Sequence, residues 1–200
     1  MDIPRTGSTS LKLQLGQSLG QTYAKSDLRI GERHSAVRDH CTALEMRELL
    51  GAERWNRLYR FSFVRDPWDR MVSFYLYRRD VARNLPPSVP FDDYVRRLRG
   101  PVPAQPKPRS PFFRVVFHRS CSQYLYDADG QLLVNFVGHY ERRAQDLALL
   151  AEARGLIVDP SLSAYATAAQ SSYRSWYTPE TAQIVGEFFA DDLRNFGYSF

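Results

Sequence analysis

Two short segments of this sequence concentrate residues able to do chemistry. The first, Pro4-Arg5-Thr6-Gly7-Ser8-Thr9-Ser10, packs one glycine, one cation and four hydroxyls into seven residues. If a strand ends at Pro4 and a helix begins near Ser8, the first amides of that helix face the turn and its dipole adds positive potential there. Gly7 lets the backbone approach an oxyanion closely. Arg5 offers a forked, charge-assisted contact to phosphate or sulfate, and Thr6, Ser8, Thr9 and Ser10 offer further donors. A polar turn that only caps a helix has the same composition, so this segment alone leaves both readings open. It is not the loop that cradles ATP with magnesium, because the second glycine and the lysine of that pattern are missing.

The second segment runs from Phe61 to Tyr75, FSFVRDPWDRMVSFY. Arg65 closes a short apolar strand, and Asp66-Pro67 starts a helix, with aspartate as N-cap and proline at the first helical position. Ser73 lies seven residues past Asp66, about 700° of helix rotation, so it returns to the face of the N-cap. Arg65 and Ser73 then point at one anion beside the carboxyl edge of a sheet, where open α/β sheets bind ligands. The plainer reading is a surface arginine and a small buried serine.

The elements that must hold these segments follow from periodicity. Thr42-Ala43-Leu44-Glu45 fits a capping box ahead of a helix carrying Leu44, Leu49 and Leu50. Residues 60–65 read as a buried strand with Phe61, Phe63 and Val64. Met71, Val72, Tyr75 and Leu76 recur at helical spacing behind it. Leu132 to Val137 reads as a second buried strand, entered by the turn Asp127-Ala128-Asp129-Gly130. Arg143 to Ala153 reads as a helix. A last helix starts at Thr178-Pro179-Glu180, carries Ile184, Val185, Phe188, Phe189 and Leu193, and ends near Gly197. Leu11, Leu13 and Leu15 alternate as in a strand while Leu11, Leu15 and Leu19 repeat as in a helix, and both readings stand. Residues 100–111 hold five prolines with Lys107 and Arg109 between them, which blocks helix and sheet; an exposed lid and a plain connector are both compatible with it. Strands alternating with helices predict an α/β fold with a mostly parallel sheet covered on both faces.

Composition narrows the field. A chain of 200 residues with 44% hydrophobic and 14% aromatic content is long and apolar enough for one domain spanning 1–200. The formal charge of +5 favours an anionic partner. A nucleic-acid surface fits the charge, but no aromatic-basic recognition motif accompanies it, so nucleic acid is not an expected partner. Cys41 and Cys121 make no disulfide framework, and a reducing compartment is the default. No apolar run reaches transmembrane length and no signal peptide is visible. The expected location is the cytoplasm, with peripheral association at the inner membrane surface as the variant. Met1-Asp2-Ile3 is short for the strand that ordinarily leads into a phosphate loop, so that strand is expected to be trimmed or to begin upstream of the first residue given.

Together the two segments resemble the PAPS-dependent sulfotransferase family that includes the carbohydrate sulfotransferases and many bacterial relatives. The family's P-K-T-G-[GS]-T-S loop corresponds to Pro4–Ser10, and its F-V-R-[DN]-P-[WF]-[DE]-R-x-V-S-x-[YF] segment appears nearly intact from Phe63 to Tyr75. His40-Cys41-Thr42-Ala43-Leu44-Glu45-Met46-Arg47 with Leu50-Gly51 is similar to the family's H-x-T-A-x-E-x-R…L-G. Val134-Asn135-Phe136-Val137-Gly138-His139-Tyr140-Glu141 is similar to its V-D-F-[IV]-G-R-[FY]-E. Tyr177-Thr178-Pro179-Glu180 and the ending Phe196-Gly197-Tyr198-Ser199-Phe200 follow the same layout. The departures are Arg5 for the usual lysine, which differs from it in geometry, and Asn135 and His139 for the common Asp and Arg.

The resemblance implies a three-layer α/β/α, P-loop-like nucleotide-binding sulfotransferase fold. It also implies transfer of a sulfuryl group from PAPS to an acceptor hydroxyl, with adenosine 3′,5′-bisphosphate leaving and no metal required. The acceptor that analogy favours is a carbohydrate or glycolipid. The implied roles put Arg5 on the sulfuryl and bridging oxygens. Thr6, Gly7, Ser8, Thr9 and Ser10 hold the 5′-phosphate, and Arg65 with Ser73 holds the 3′-phosphate. Tyr173 and Arg174 close over the nucleotide. His40 is the candidate general base: it precedes the Thr42 helix, whose dipole disfavours an imidazolium. His34 and His118 are weaker candidates, the latter in a basic stretch with Arg114 and Arg119. The alternatives are a P-loop-like nucleotide kinase and a catalytically weak nucleotide- or glycan-binding module.

Overall fold

The computed structural model describes residues 1–19, 40–100, 119–159 and 173–200. His34, His118, Arg114 and the proline-rich segment after Gly100 lie outside them. In chain order the described elements are helix α1 (Ser8–Ser18), α2 (Ala43–Leu50), α3 (Ala52–Arg57), strand β1 (Phe61–Val64) and α4 (Pro67–Leu76), which runs on into a π-helical turn (Tyr77–Val81). They continue with α5 (Phe91–Arg96) and its 3-10 turn (Arg97–Arg99), α6 (Cys121–Leu125), strand β2 (Phe136–His139), a 3-10 turn (Tyr140–Arg142) and α7 (Arg143–Arg154). A 3-10 turn (Tyr173–Trp176), α8 (Pro179–Phe188) and α9 (Ala190–Phe196) complete them. The fold is thus mixed helix and strand with a small parallel sheet. The chain divides into two compact units: described residues 1–19, 40–64 and 123–159 form one, and 65–100, 119–122 and 173–200 the other.

In the first unit β1 and β2 pair in parallel, Phe61 opposite Phe136 through Val64 opposite His139. Parallel neighbours need a long crossover between them, and here the whole chain from 65 to 135 supplies it. Residues before Pro4 lie against β1: the Ser62 hydroxyl donates to the Met1 carbonyl at 3.2 Å, and Ile3 is buried. The leucine-rich start settles as helix, with Leu11 turned to Phe63, Leu147 and Leu150 in the core and Leu13 exposed.

The second strand starts later than the expected 132. Leu132 pairs instead with Tyr126 in an antiparallel bridge, so the Asp127–Gly130 turn closes a small hairpin on itself. Asn135 then clamps the strand entrance: its Oδ1 accepts from the Arg60 amide at 2.9 Å and its own amide donates to the Arg60 carbonyl at 2.7 Å. The apolar run from Leu132 to Val137, interrupted by Asn135 alone, hides that boundary.

Gly138 fixes the spacing of the two strands' side chains. A Cβ there would sit 2.5 Å from Cε1 of the Phe63 ring and 2.8 Å from Cδ1 and Cζ. That ring is buried, and overpacking a close-packed site costs about 1–3 kcal/mol. Gly138→Ala is expected to lower Tm by roughly 2–4 °C for each of those kcal/mol. An unchanged melting curve would contradict the Phe63–Gly138 packing.

The second unit is built on α4. Asp66 caps it, with Oδ1 accepting from the Trp68 amide at 2.8 Å and the Asp69 amide at 3.3 Å, and Pro67 occupies the first turn. Met71, Val72, Phe74 and Tyr75 pack in one core with residues of α5 and α8. The Trp68 indole N–H donates to the Ala182 carbonyl at 2.9 Å. α8 starts at Thr178 and Pro179 as expected, with a reciprocal Thr178–Thr181 cap.

The expected single last helix is two helices, broken at Phe189 (φ −105°, ψ 29°). The break lets α9 bury Asp192, whose carboxylate accepts from the amides of Cys121 at 2.8 Å and Ser122 at 2.7 Å. A carboxylate distant in sequence thus satisfies orphan amides at the start of α6. No local pattern announces such a cap.

Candidate functional site

The first candidate segment folds as a tight turn leading into α1. Arg5 has φ +67° and Gly7 φ +79°. A left-handed arginine is uncommon, and such conformations gather at functional turns. The Thr6 hydroxyl donates to the Ile3 carbonyl at 2.9 Å and Thr6 is 2% exposed, so what it offers an anion is its backbone amide. Ser8 is half-buried, Thr9 exposed and Ser10 buried. The first turn of α1 holds no acidic residue to oppose an anion.

Gly7 is needed here for space as well as conformation. A Cβ would lie 3.0 Å from Cε2 of Tyr140 and 3.7 Å from Cδ of Arg143. Sequence reasoning did not single out Arg143. The available signal was its position two residues beyond the Gly138-His139-Tyr140-Glu141 stretch, which names the neighbourhood but not the contact.

His40, in the same unit, is held by Asp2. Its Nδ1 lies 3.0 Å from the Asp2 carbonyl oxygen and 3.5 Å from the Asp2 carboxylate. A carbonyl only accepts, so Nδ1 carries the hydrogen, and in the neutral form of the ring the lone pair lies on Nε2. Burial works against ionisation of Asp2, but hydrogen bonding and charge from His40 and Lys12 outweigh it and hold the carboxyl well below the usual range. The helix dipole disfavours a charged ring at this position, and the Asp2 carboxylate beside it acts in the opposite direction. His40 itself has φ +67° and enters α2 through the Thr42–Glu45 capping box, with both reciprocal hydrogen bonds made.

In the second unit, Arg65 directly follows β1 and is 4% exposed. Its Nε donates to Asp69 Oδ2 at 2.8 Å, one helical turn on. Asp69 therefore fixes the guanidinium through its inner nitrogen. The sequence reading passed over this carboxylate, although i,i+4 spacing was its signal. Ser73 is 6% exposed on α4.

Tyr173 joins this group, its hydroxyl donating to the second Asp66 oxygen at 2.8 Å. Burial, together with Asp66, pushes the Tyr173 phenol up to about 12, so it remains a donor. Burial also raises Asp66, against the lowering effect of its hydrogen bonds from Tyr173 and the helix amides. Arg174 is exposed, with its guanidinium 5.2 Å from the centre of the Phe200 ring. Arg5 through Ser10 and His40 thus lie in the first unit, and Arg65, Ser73, Tyr173 and Arg174 in the second.

The sequence model of the sulfotransferase family matches residues 1–199. This chain belongs to the sulfotransferase family. No curated protein and no solved structure gives a match. Sulfuryl transfer is the sulfotransferase reaction class, so a sulfate donor and an acceptor are the partners this class requires. Among the described residues of this sulfotransferase, no group of three or more His, Cys, Asp or Glu side chains is placed to hold a metal ion. No described helix is long and apolar enough to cross a membrane.

Proposed function

We propose that this sulfotransferase uses PAPS as donor and an acceptor hydroxyl, most simply that of a carbohydrate or glycolipid, as nucleophile. The observation that carries the reading is the family match over nearly the whole chain, which includes both oxyanion-type segments in their expected order. The three-layer, P-loop-like arrangement around the sheet and a single working domain over 1–200 are part of the same proposal.

The acceptor oxygen attacks sulfur in line with the bond to the 5′-phosphate oxygen. A new O–S bond forms, that S–O bond breaks, and adenosine 3′,5′-bisphosphate departs with the electron pair. The hydroxyl proton passes to Nε2 of His40, the nitrogen its Asp2 contact leaves as acceptor. Negative charge grows on the bridging oxygen, where Arg5 is assigned, and the amides from Thr6 to Ser10 with the hydroxyls of Ser8, Thr9 and Ser10 hold the 5′-phosphate. Arg65, held at Nε by Asp69, and Ser73 take the 3′-phosphate. Tyr173 and Arg174 are assigned to the nucleotide's outer face. As in phosphoryl transfer, positioning and charge stabilisation do most of the work.

The test is calorimetry of the purified chain in EDTA. Adenosine 3′,5′-bisphosphate is expected to bind without magnesium, more tightly than adenosine 5′-monophosphate. Absence of bisphosphate binding, with magnesium-dependent ATP hydrolysis in its place, would replace this reading by a kinase-type one.

A further inference from the structure

We infer that Arg143 is a second cation of the first loop, holding the 5′-phosphosulfate end of the donor alongside Arg5. The inference rests on the reading of Pro4–Ser10 as the donor's 5′ site. It adds a residue that the family pattern does not mark.

The geometry is local to one unit. Arg143 is the first residue of α7, and its Cδ lies 3.7 Å from where a Gly7 side chain would begin, while α1 begins at the next residue, Ser8. The starts of two helices, of 11 and 12 residues, therefore meet at this turn, and their dipoles add there. The carboxylate in the first turn of α7, Asp146, is directed elsewhere. It accepts from the His139 amide at 2.6 Å and from Arg142 Nε at 3.0 Å, with the His139 ring 3.5 Å away. Tyr140 packs its ring edge against Gly7 on the same side.

The electrostatics agree with this geometry. Arg143 is half-buried and its Nη2 is shielded from solvent. Burial lowers its proton affinity and outweighs the opposing effect of Tyr140. An arginine stays charged regardless, so a desolvated guanidinium gains most from an oxyanion arriving beside it. With Arg5, it would present two guanidinium groups to the end of the donor that carries both a phosphate and a sulfate. It also offers a physical account of how a loop with arginine in place of lysine retains enough directed charge.

The experiment compares adenosine 3′,5′-bisphosphate with adenosine 3′-monophosphate, which lacks the 5′ group, by calorimetry on the wild-type chain, Arg143→Gln, Arg143→Lys and Arg5→Ala. Arg143→Gln is expected to weaken the bisphosphate about tenfold or more and to leave the monophosphate unchanged, with Arg143→Lys recovering part of the loss. Arg143→Lys keeps the stem and charge, so it reports even if the glutamine variant folds poorly. A loss in Arg5→Ala with none in Arg143→Gln overturns the role of Arg143 alone. Equal losses for both ligands in Arg143→Gln overturn it too, in favour of a purely structural role. No selective loss in either variant overturns the loop reading and this inference with it.

Discussion

Replacing His40 with alanine is expected to lower kcat by about 10²–10⁴-fold, the range for loss of a positioned general base, while the affinity for adenosine 3′,5′-bisphosphate stays as in the wild type. The split follows from where the ring is held. Asp2 takes Nδ1 through its carbonyl, and its ionised carboxyl lies within 3.5 Å, so the proton-accepting nitrogen is Nε2. Nothing in that arrangement assigns His40 to the nucleotide. Because His40 also leads into the capping box of α2 with a left-handed backbone, His40→Asn is the companion variant: asparagine tolerates that conformation better than alanine does. Stopped assays of product formation at saturating donor read the effect. A normal rate in either variant removes His40 from the proton transfer, and equal losses in rate and nucleotide affinity make it a structural residue.

Arg65→Ala carries the second large effect. A charge-assisted contact is worth about 1.5–3 kcal/mol, so the bisphosphate is expected to bind roughly 10- to 150-fold more weakly. The loss should reach the upper end, because the substitution also strips Asp69 of the cation it faces at 2.8 Å and leaves an uncompensated carboxylate near the proposed phosphate position. Arg65→Ala with Asp69→Asn removes that repulsion and should recover part of the affinity. Adenosine 5′-monophosphate, which lacks the 3′-phosphate, should be indifferent to Arg65. Unchanged bisphosphate affinity in Arg65→Ala would take the residue out of the donor site.

Much of the framework was legible because its signals are local. Asp66-Pro67 announces α4, Thr42 with Glu45 announces α2, and Thr178-Pro179 announces α8. Each start depends on amides within three residues of the cap, so the sequence shows the whole interaction. The features that escaped depend on distant partners. β2 begins at Phe136 because Asn135 is tied to Arg60, 75 positions earlier. The last helix breaks at Phe189 so that Asp192 can reach Cys121 and Ser122. Leu11 could not be assigned by periodicity alone, and packing against Phe63, Leu147 and Leu150 decides it.

The candidate site divides along the same line. Arg5, Gly7, Arg65 and Ser73 stand out by type and spacing, since oxyanions demand cations, small residues and hydroxyls at turns and helix starts. The side chains that aim or reinforce them do not. Asp69 is an ordinary helix acid until it is seen gripping Arg65 Nε. Asp2 is an unremarkable early residue until the His40 ring is found on its carbonyl. Arg143 sits 136 positions after Gly7, yet its stem borders that glycine.

Sulfuryl transfer from PAPS to a hydroxyl is tested by incubating the chain with radiolabelled PAPS and a panel of carbohydrate and glycolipid acceptors in EDTA, then resolving products by mass. Labelled sulfate is expected on an acceptor hydroxyl with an equal yield of adenosine 3′,5′-bisphosphate, and no stimulation by magnesium. Tight bisphosphate binding with no transfer to any acceptor would contradict it and leave a nucleotide-binding module in place of an enzyme.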